Sequence, residues 1–160
     1  LHPCPPDVEG EIAIRGPNVM LEYLKNPEAN AASFAGDWLR TGDLGRKDAD
    51  GYIYVTGRLK ELIIKGGENI APREIDEARY SHADVIEAAA FARPCTSYGA
   101  RVEAAVAIRE GSTLSAAELI EICAARLGRF KAPAHVHFMA ELPKGPTGKI
   151  KRLQHCELTK

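Results

Sequence analysis

The run Pro143-Lys144-Gly145-Pro146-Thr147-Gly148-Lys149-Ile150 constrains this chain more than any other segment. Proline lacks an amide donor and glycine loses the most backbone freedom on ordering, so the run joins neither a helix interior nor a central strand. It is a loop, and it holds two lysines, Lys144 and Lys149. A cation on such a loop is placed to meet a ligand or solvent rather than to be packed away. The run alone does not choose between those outcomes.

The bulk properties narrow the class. At 160 residues the chain is one domain, or one domain and part of another. Apolar residues make up 45%, enough for a core. Lys and Arg number 21 against 22 Asp and Glu, for a net charge of -1, which argues against nucleic acid as the main partner. No apolar run approaches the ~20 residues needed to span a bilayer. The chain opens Leu1-His2-Pro3-Cys4-Pro5-Pro6, with neither a signal-peptide pattern nor an initiating Met. Cys4, Cys95, Cys123 and Cys156 lack Cys-x-x-Cys spacing and read as reduced thiols of a cytoplasmic protein. His82, His135, His137 and His155 form no metal-ligand pattern with them, and no metal site is expected. Strand alternation explains His135 and His137, by placing both on one face.

Periodicity places the elements. Glu11–Arg15 alternates as a half-buried strand does. Pro27–Ser33 predicts a short helix capped by Asn26, with Pro27 in its first position. Asp37–Leu44 and Tyr52–Gly57 read as strands joined by the turn Asp48-Ala49-Asp50-Gly51. In the second half, Leu62–Ile64 is a short strand, and Pro72 opens a helix to about Tyr80 with Arg73, Glu74 and Glu77 on its wet side. Val85–Phe91 and Val102–Ile108 are apolar strands. Ser115-Ala116-Ala117-Glu118 is a capping box. The helix it starts carries Leu119, Ile120, Cys123, Ala124 and Leu127 on one face and stops at Gly128. Val136 and Phe138 belong to a last strand. Strands and helices interleave without regular βαβ spacing, so the expected class is α+β. The halves meet near Arg58–Glu61, a tight charged connection suited to a hinge.

Four blocks, in order, resemble the adenylate-forming superfamily of acyl-CoA synthetases, peptide-synthetase adenylation domains and beetle luciferases. They are Gly10-Glu11-Ile12-Ala13-Ile14-Arg15-Gly16 with Tyr23-Leu24 and Asn26-Pro27-Glu28-Ala29; Trp38-Leu39-Arg40-Thr41-Gly42-Asp43-Leu44-Gly45; Gly57 through Ile70; and the Pro143–Ile150 loop. The resemblance implies a fold in two parts. Residues 1–59 would be the end of a large N-terminal adenylation domain, an incomplete antiparallel β subdomain. Residues 60–160 would be a small C-terminal lid with a short mixed sheet and flanking helices, docking on its own N-terminal domain. The phosphate loop and acid pocket are absent here, so the chain is expected to be the C-terminal piece of such an enzyme, inactive alone.

The resemblance also implies site residues. Asp43 and Arg58 would hold the ribose of ATP and of the adenylate. A carboxylate accepts both hydrogen bonds of a vicinal diol, and a guanidinium supplies a planar fork of donors. Taken singly, Asp43 also reads as a turn residue and Arg58 as a surface cation. Lys149 would stabilise the charge that builds when a carboxylate attacks the α-phosphate, leaving Lys144 as a solvated neighbour. Lys60 would be the hinge on which the lid turns between half-reactions. Gly66 and Gly67 would line the tunnel for the pantetheine arm of CoA, where a backbone without side chains approaches closely; a plain Gly-Gly turn is the alternative. Lys131, in Phe130-Lys131-Ala132-Pro133, would meet a CoA phosphate or stay solvated. Some family members carry a second lysine where this chain has Ile64, so any role of that lysine is absent or moved to Lys65. The implied reactants are a carboxylic acid, ATP and CoA, with Mg2+ held by the N-terminal domain. A carrier protein as acyl acceptor and a non-catalytic lid-like module are the alternatives.

Overall fold

The computed structural model describes residues 1–152, so His155 and Cys156 lie outside the described residues. Contacts divide the chain after Lys60 into two compact units.

The first unit is a four-stranded antiparallel sheet around one long strand. Its elements are β1 (Gly10–Ile14), α1 (Pro27–Ser33), β2 (Phe34–Ala35), β3 (Trp38–Lys47) and β4 (Ile53–Arg58). β3 pairs with β1, β2 and β4. The Asn26 side chain accepts the Ala29 N–H at 3.0 Å, and Pro27 follows as the first helical residue, as the sequence predicts. Asp48 Oδ1 accepts the N–H groups of Asp50 and Tyr52 at 3.0 and 2.9 Å, which closes the β3–β4 turn. A 3-10 turn over Leu59–Glu61 follows β4.

The second unit opens with a hairpin of β5 (Ile63–Lys65) and β6 (Glu68–Ile70). The sequence suggested a lone strand at Leu62–Ile64. Its partner Glu68-Asn69-Ile70 is too short and polar to carry an alternation signal. Then come α2 (Pro72–Tyr80), β7 (Val85–Cys95), β8 (Gly99–Ile108), α3 (Ala116–Leu127) and β9 (His135–Phe138). β7 and β8 pair antiparallel, and β8 and β9 pair parallel, so this sheet is mixed. With its helices it makes the unit α+β.

This sheet is buried on both faces, which is why its strands read as continuous apolar runs. Ala90 and Val102 pack with Ile63, Ile70, Ile75 and Cys123. Ala88 and Val106 pack with Leu119 and Ile122, a residue the helical stripe had left out. The alternate residues Ala89, Phe91 and Ala105 point to the other face and meet Leu142, Met139 and Ile150. The hairpin and helices therefore cover one face, and the segment with the Pro/Gly loop covers the other. The Ser115–Glu118 capping box is formed in both directions. Gly128, at φ +84°, ends α3 with its N–H on Ala124 O at 3.0 Å.

The free edge of β7 is covered by side chains rather than left open. Tyr80 Oη accepts the Ala88 N–H at 3.0 Å and Asp76 Oδ1 accepts the Ala90 N–H at 2.7 Å. Arg152 Nη1 donates to Ala90 O at 2.9 Å. No described helix is long and apolar enough to cross a membrane.

Candidate functional site

Asp43 and Arg58 are direct cross-strand partners in the β3–β4 ladder. Arg58 Nε donates to Asp43 Oδ1 at 2.9 Å, with the side chains 61% and 31% exposed. The backbone aims Asp43 outward through a local device. Gly42 takes φ +73°, and its N–H reaches Glu11 Oε1 at 3.2 Å. Thr41 Oγ1 then accepts the Asp43 N–H at 3.0 Å while donating to Ile12 O at 2.8 Å. The result is a carboxylate and a guanidinium side by side on one open surface, a donor–acceptor set that fits a diol. Lys60 follows two residues later, exposed, as the last residue of the first unit.

A cavity of about 420 Å³ in this unit is lined by Cys4, Val8, Ile12, Trp38 and Ile53 among others. None of the predicted site residues lines it.

Gly66 and Gly67 form the two-residue turn of the β5–β6 hairpin, with Lys65 opposite Glu68. Both have positive φ, +58° and +85°, as such a turn requires. They differ in surroundings. A Cβ on Gly66 would come within 3.2 Å of Tyr98 Cδ1, whereas one on Gly67 would meet open space. The Gly66 N–H donates to Tyr98 O at 2.9 Å. Tyr98 and Phe130 pack edge to face at 6.5 Å. Lys65 Nζ lies 4.5 Å from the centre of the Phe130 ring and donates to Phe130 O at 2.5 Å. Ile64 is 58% exposed.

Tyr98 has no place in the sequence reading, and Phe130 enters it only within the Phe130-Lys131-Ala132-Pro133 block. The available signal was a large aromatic in the hairpin loop Thr96-Ser97-Tyr98, where a polar turn residue is usual. Cys95, the last residue of β7, borders this loop. Hydrogen bonds from the Tyr98 and Ser97 N–H groups hold its thiol below the ordinary range.

Lys131 is part-exposed and paired. Its ammonium pairs with Glu74 Oε2 at 2.8 Å and ties the segment after α3 to α2.

The two lysines of the Pro/Gly loop have different surroundings. Lys144, expected to be a solvated neighbour, is instead anchored to Glu87 Oε1 at 2.5 Å and Glu141 Oε1 at 3.0 Å. Those hydrogen bonds push its pKa up. Burial opposes the charge on Glu87, but donation from Lys144 and from the Leu142 N–H outweighs it and holds that carboxyl below its usual value. The sequence could not show this, because Glu87 lies far upstream on β7. Lys149 is exposed, and no carboxylate of the described residues pairs with it. Its backbone is well held. Gly145 N–H donates to Lys149 O at 2.7 Å, Gly148 N–H to Gly145 O at 3.0 Å, and Lys151 N–H to Pro143 O at 2.8 Å. The result is an exposed ammonium on a braced turn, with no carboxylate partner among the described residues.

Within the second unit, the Gly66-Gly67 hairpin packs on the helix-covered side of the β7–β9 sheet and the Lys149 loop on the opposite side. No three His, Cys, Asp or Glu side chains of the described residues gather as a metal site.

Residues 74–149 match the AMP-binding enzyme C-terminal domain. The chain is 52% identical over 153 residues to a sulfoacetate–CoA ligase of Cupriavidus necator, covering 95% of this chain and 30% of that protein. It is 45% identical over 147 residues to an oxalate–CoA ligase of Arabidopsis thaliana, covering 92% and 29%. Among solved structures, o-succinylbenzoate CoA synthetase of Bacillus subtilis in complex with its acyl-adenylate intermediate superposes with a TM-score of 0.89 at 39% identity, over 95% of this chain and 31% of that one. An amide bond synthetase of Marinactinospora thermotolerans gives 0.92 at 32% identity, over 98% and 32%. The chain thus spans about three tenths of the length of the curated relatives it matches. By this match, residues 74–149 carry the AMP-binding enzyme C-terminal domain, and the curated relatives of the chain include CoA ligases.

Proposed function

We propose that this chain is the C-terminal part of an ATP-dependent acid:CoA ligase, which forms an acyl adenylate and then an acyl-CoA thioester. The observation that carries the reading is the contrast between the two loop lysines: Lys144 is neutralised by two carboxylates, and Lys149 stands exposed on a braced turn with no carboxylate partner among the described residues. In this reading Asp43 accepts the ribose hydroxyls, and Arg58 swings its fork from Asp43 to complete the clamp. Lys149 lies between the acid and the α-phosphate and stabilises the charge of the transition state. No proton need move at Lys149, because its role is electrostatic.

After adenylation the lid turns about Lys60, docked on its own N-terminal domain, and brings the Gly66-Gly67 turn to the reaction. The side-chain-free rim at Gly67 and the Tyr98–Phe130 pair beside Gly66 suit a thin pantetheine arm. Lys131 would have to leave Glu74 to reach a CoA phosphate, so its part in binding is the weaker. The Mg2+ that accompanies ATP is assigned to the N-terminal domain, and none of these roles depends on it. We place the enzyme in the cytoplasm, where its cysteines stay reduced. Its acid is assigned to the short dicarboxylate-like class suggested by the sulfoacetate and oxalate ligases. A medium-chain acid of fatty acid metabolism is the next to try, then an aromatic one.

The test is ATP-dependent pyrophosphate release by the full-length protein over a panel of these acids. Each is run with CoA, with a holo-carrier protein, with an amine, and with no acceptor. Release that needs one acid and turns over only with CoA is the expected result. Turnover with carrier protein or amine alone moves the acceptor assignment, and no release from folded protein overturns the reading.

A further inference from the structure

A charged network, buried at Asp76 and Arg79 and part-buried at Arg152 and Glu61, lies at the β7 edge, and neither the ribose clamp nor the two half-reaction surfaces uses it. Asp76 and Arg79, one helical turn apart on α2, pair at 2.6 Å with side chains 7% and 0% exposed. Asp76 Oδ2 also takes Arg152 Nη1 at 2.7 Å. Arg152 Nε turns the other way, to Glu61 Oε2 at 3.0 Å. With its bond to Ala90 O, one guanidinium joins α2, β7 and Glu61, the first residue of the second unit. Arg152 stands three residues after Lys149, just past Ile150, which packs against the sheet face formed by Phe91, Ala105 and Leu142.

The loop that carries Lys149 is therefore clamped by charge at both ends. Lys144 holds its entry to Glu87 and Arg152 holds its exit to Asp76 and Glu61. An isolated buried ion pair is a poor source of stability, because the desolvation cost cancels much of its attraction. Its geometry is nevertheless strict: a planar fork satisfied on three sides has one orientation.

We propose that Arg152 is a positioning residue for the adenylation step, one that sets where Lys149 stands relative to the lid's first residue, Glu61. This inference rests on the acid:CoA ligase reading. It makes Glu61 part of the rigid lid, so that rotation is confined to the backbone at and before Lys60. A loop free to shift by about 1 Å would misplace the ammonium and cost on the order of 10²-fold in rate.

The test uses the full-length enzyme and measures two rates separately: acyl-adenylate formation, and thioester formation from supplied acyl adenylate and CoA. In Arg152→Gln, kcat for adenylation should fall on the order of 10²-fold with KM for ATP unchanged, while the thioester step stays near the wild-type rate. Arg152→Lys, which keeps a charge but loses the fork, should recover part of the loss. Hydrogen exchange of the Gly145 and Lys151 amides should speed up in both variants. If the Gln variant does not fold, the Lys variant decides. Equal loss in both half-reactions, or normal adenylation with unchanged exchange, overturns the assignment of Arg152. Wild type with no acid-dependent adenylation overturns the ligase reading and this inference together. Wild type that adenylates, with only the Arg152 variants departing from expectation, overturns this inference alone.

Discussion

Arg58 sits directly across the β3–β4 ladder from Asp43 and donates to its carboxylate at 2.9 Å. Both side chains reach solvent, and a pair so exposed contributes only about 0–1 kcal/mol to stability. Arg58→Gln should leave the thermal midpoint of the full-length protein nearly unchanged and raise KM for ATP. Calorimetry and initial-rate kinetics check this together. A large loss of stability with unchanged KM would make the pair structural.

Lys149 and Lys144 should separate in the opposite sense. Lys149→Ala removes a group that touches no described carboxylate, so the fold should keep its stability. Adenylate formation should fall by ~10²–10³-fold, the usual cost of one transition-state donor. Thioester formation from supplied acyl adenylate should survive. Lys144→Ala should lower the thermal midpoint, because it strips Glu87 and Glu141 of their cation. Loss of both half-reactions in Lys149→Ala would count against its role.

A bulky side chain at Gly67 meets open space but is strained by φ +85°, so steric block and strain need separate variants. Gly67→Leu should stop the CoA step and spare adenylation. Gly67→Asn, which tolerates left-handed backbone, should retain most of both. If Asn is as damaging as Leu, backbone strain rather than a blocked tunnel explains the effect.

Glu103, 1% exposed, accepts from Arg93 at 2.9 Å, Arg101 at 2.8 Å and His137 at 2.9 Å. Burial would raise its pKa, but the hydrogen bonds from His137 and the two arginines outweigh that and hold it below the ordinary value. The folded state thus binds this proton less tightly than the unfolded chain. The stabilisation is present above the unfolded pKa of about 4.3 and is lost as pH falls from there through the lower folded value. Glu103→Gln should be less stable than wild type at neutral pH and show a shallower decline into acid. Thermal midpoints between pH 7 and pH 3 test this, and parallel curves would refute it.

Much of the fold was legible because local chemistry and global structure agree. Asn26 and Pro27 start α1, Ser115 and Glu118 box α3, and Gly128 ends it, each through bonds spanning a few residues. The candidate site was legible only as motifs. Asp43 and Arg58 could be named from their blocks, but their pairing needed the β3–β4 register. The place of Tyr98 and Phe130 beside Gly66 escaped because nothing local marks them as its neighbours.

The sequence by itself determined where the chain turns, which faces are apolar, and which loop carries the lysines. Those properties follow from backbone dihedrals and from the 2.0 and 3.6 residue periods. The tertiary structure alone decided which charges are spent. Lys144 is neutralised because Glu87 arrives from β7, and Lys149 is free because no described carboxylate does. Arg152 is part-buried and paired with Glu61, 91 residues earlier in the chain. A charge's fate depends on partners and desolvation at its final position, and local sequence does not encode either.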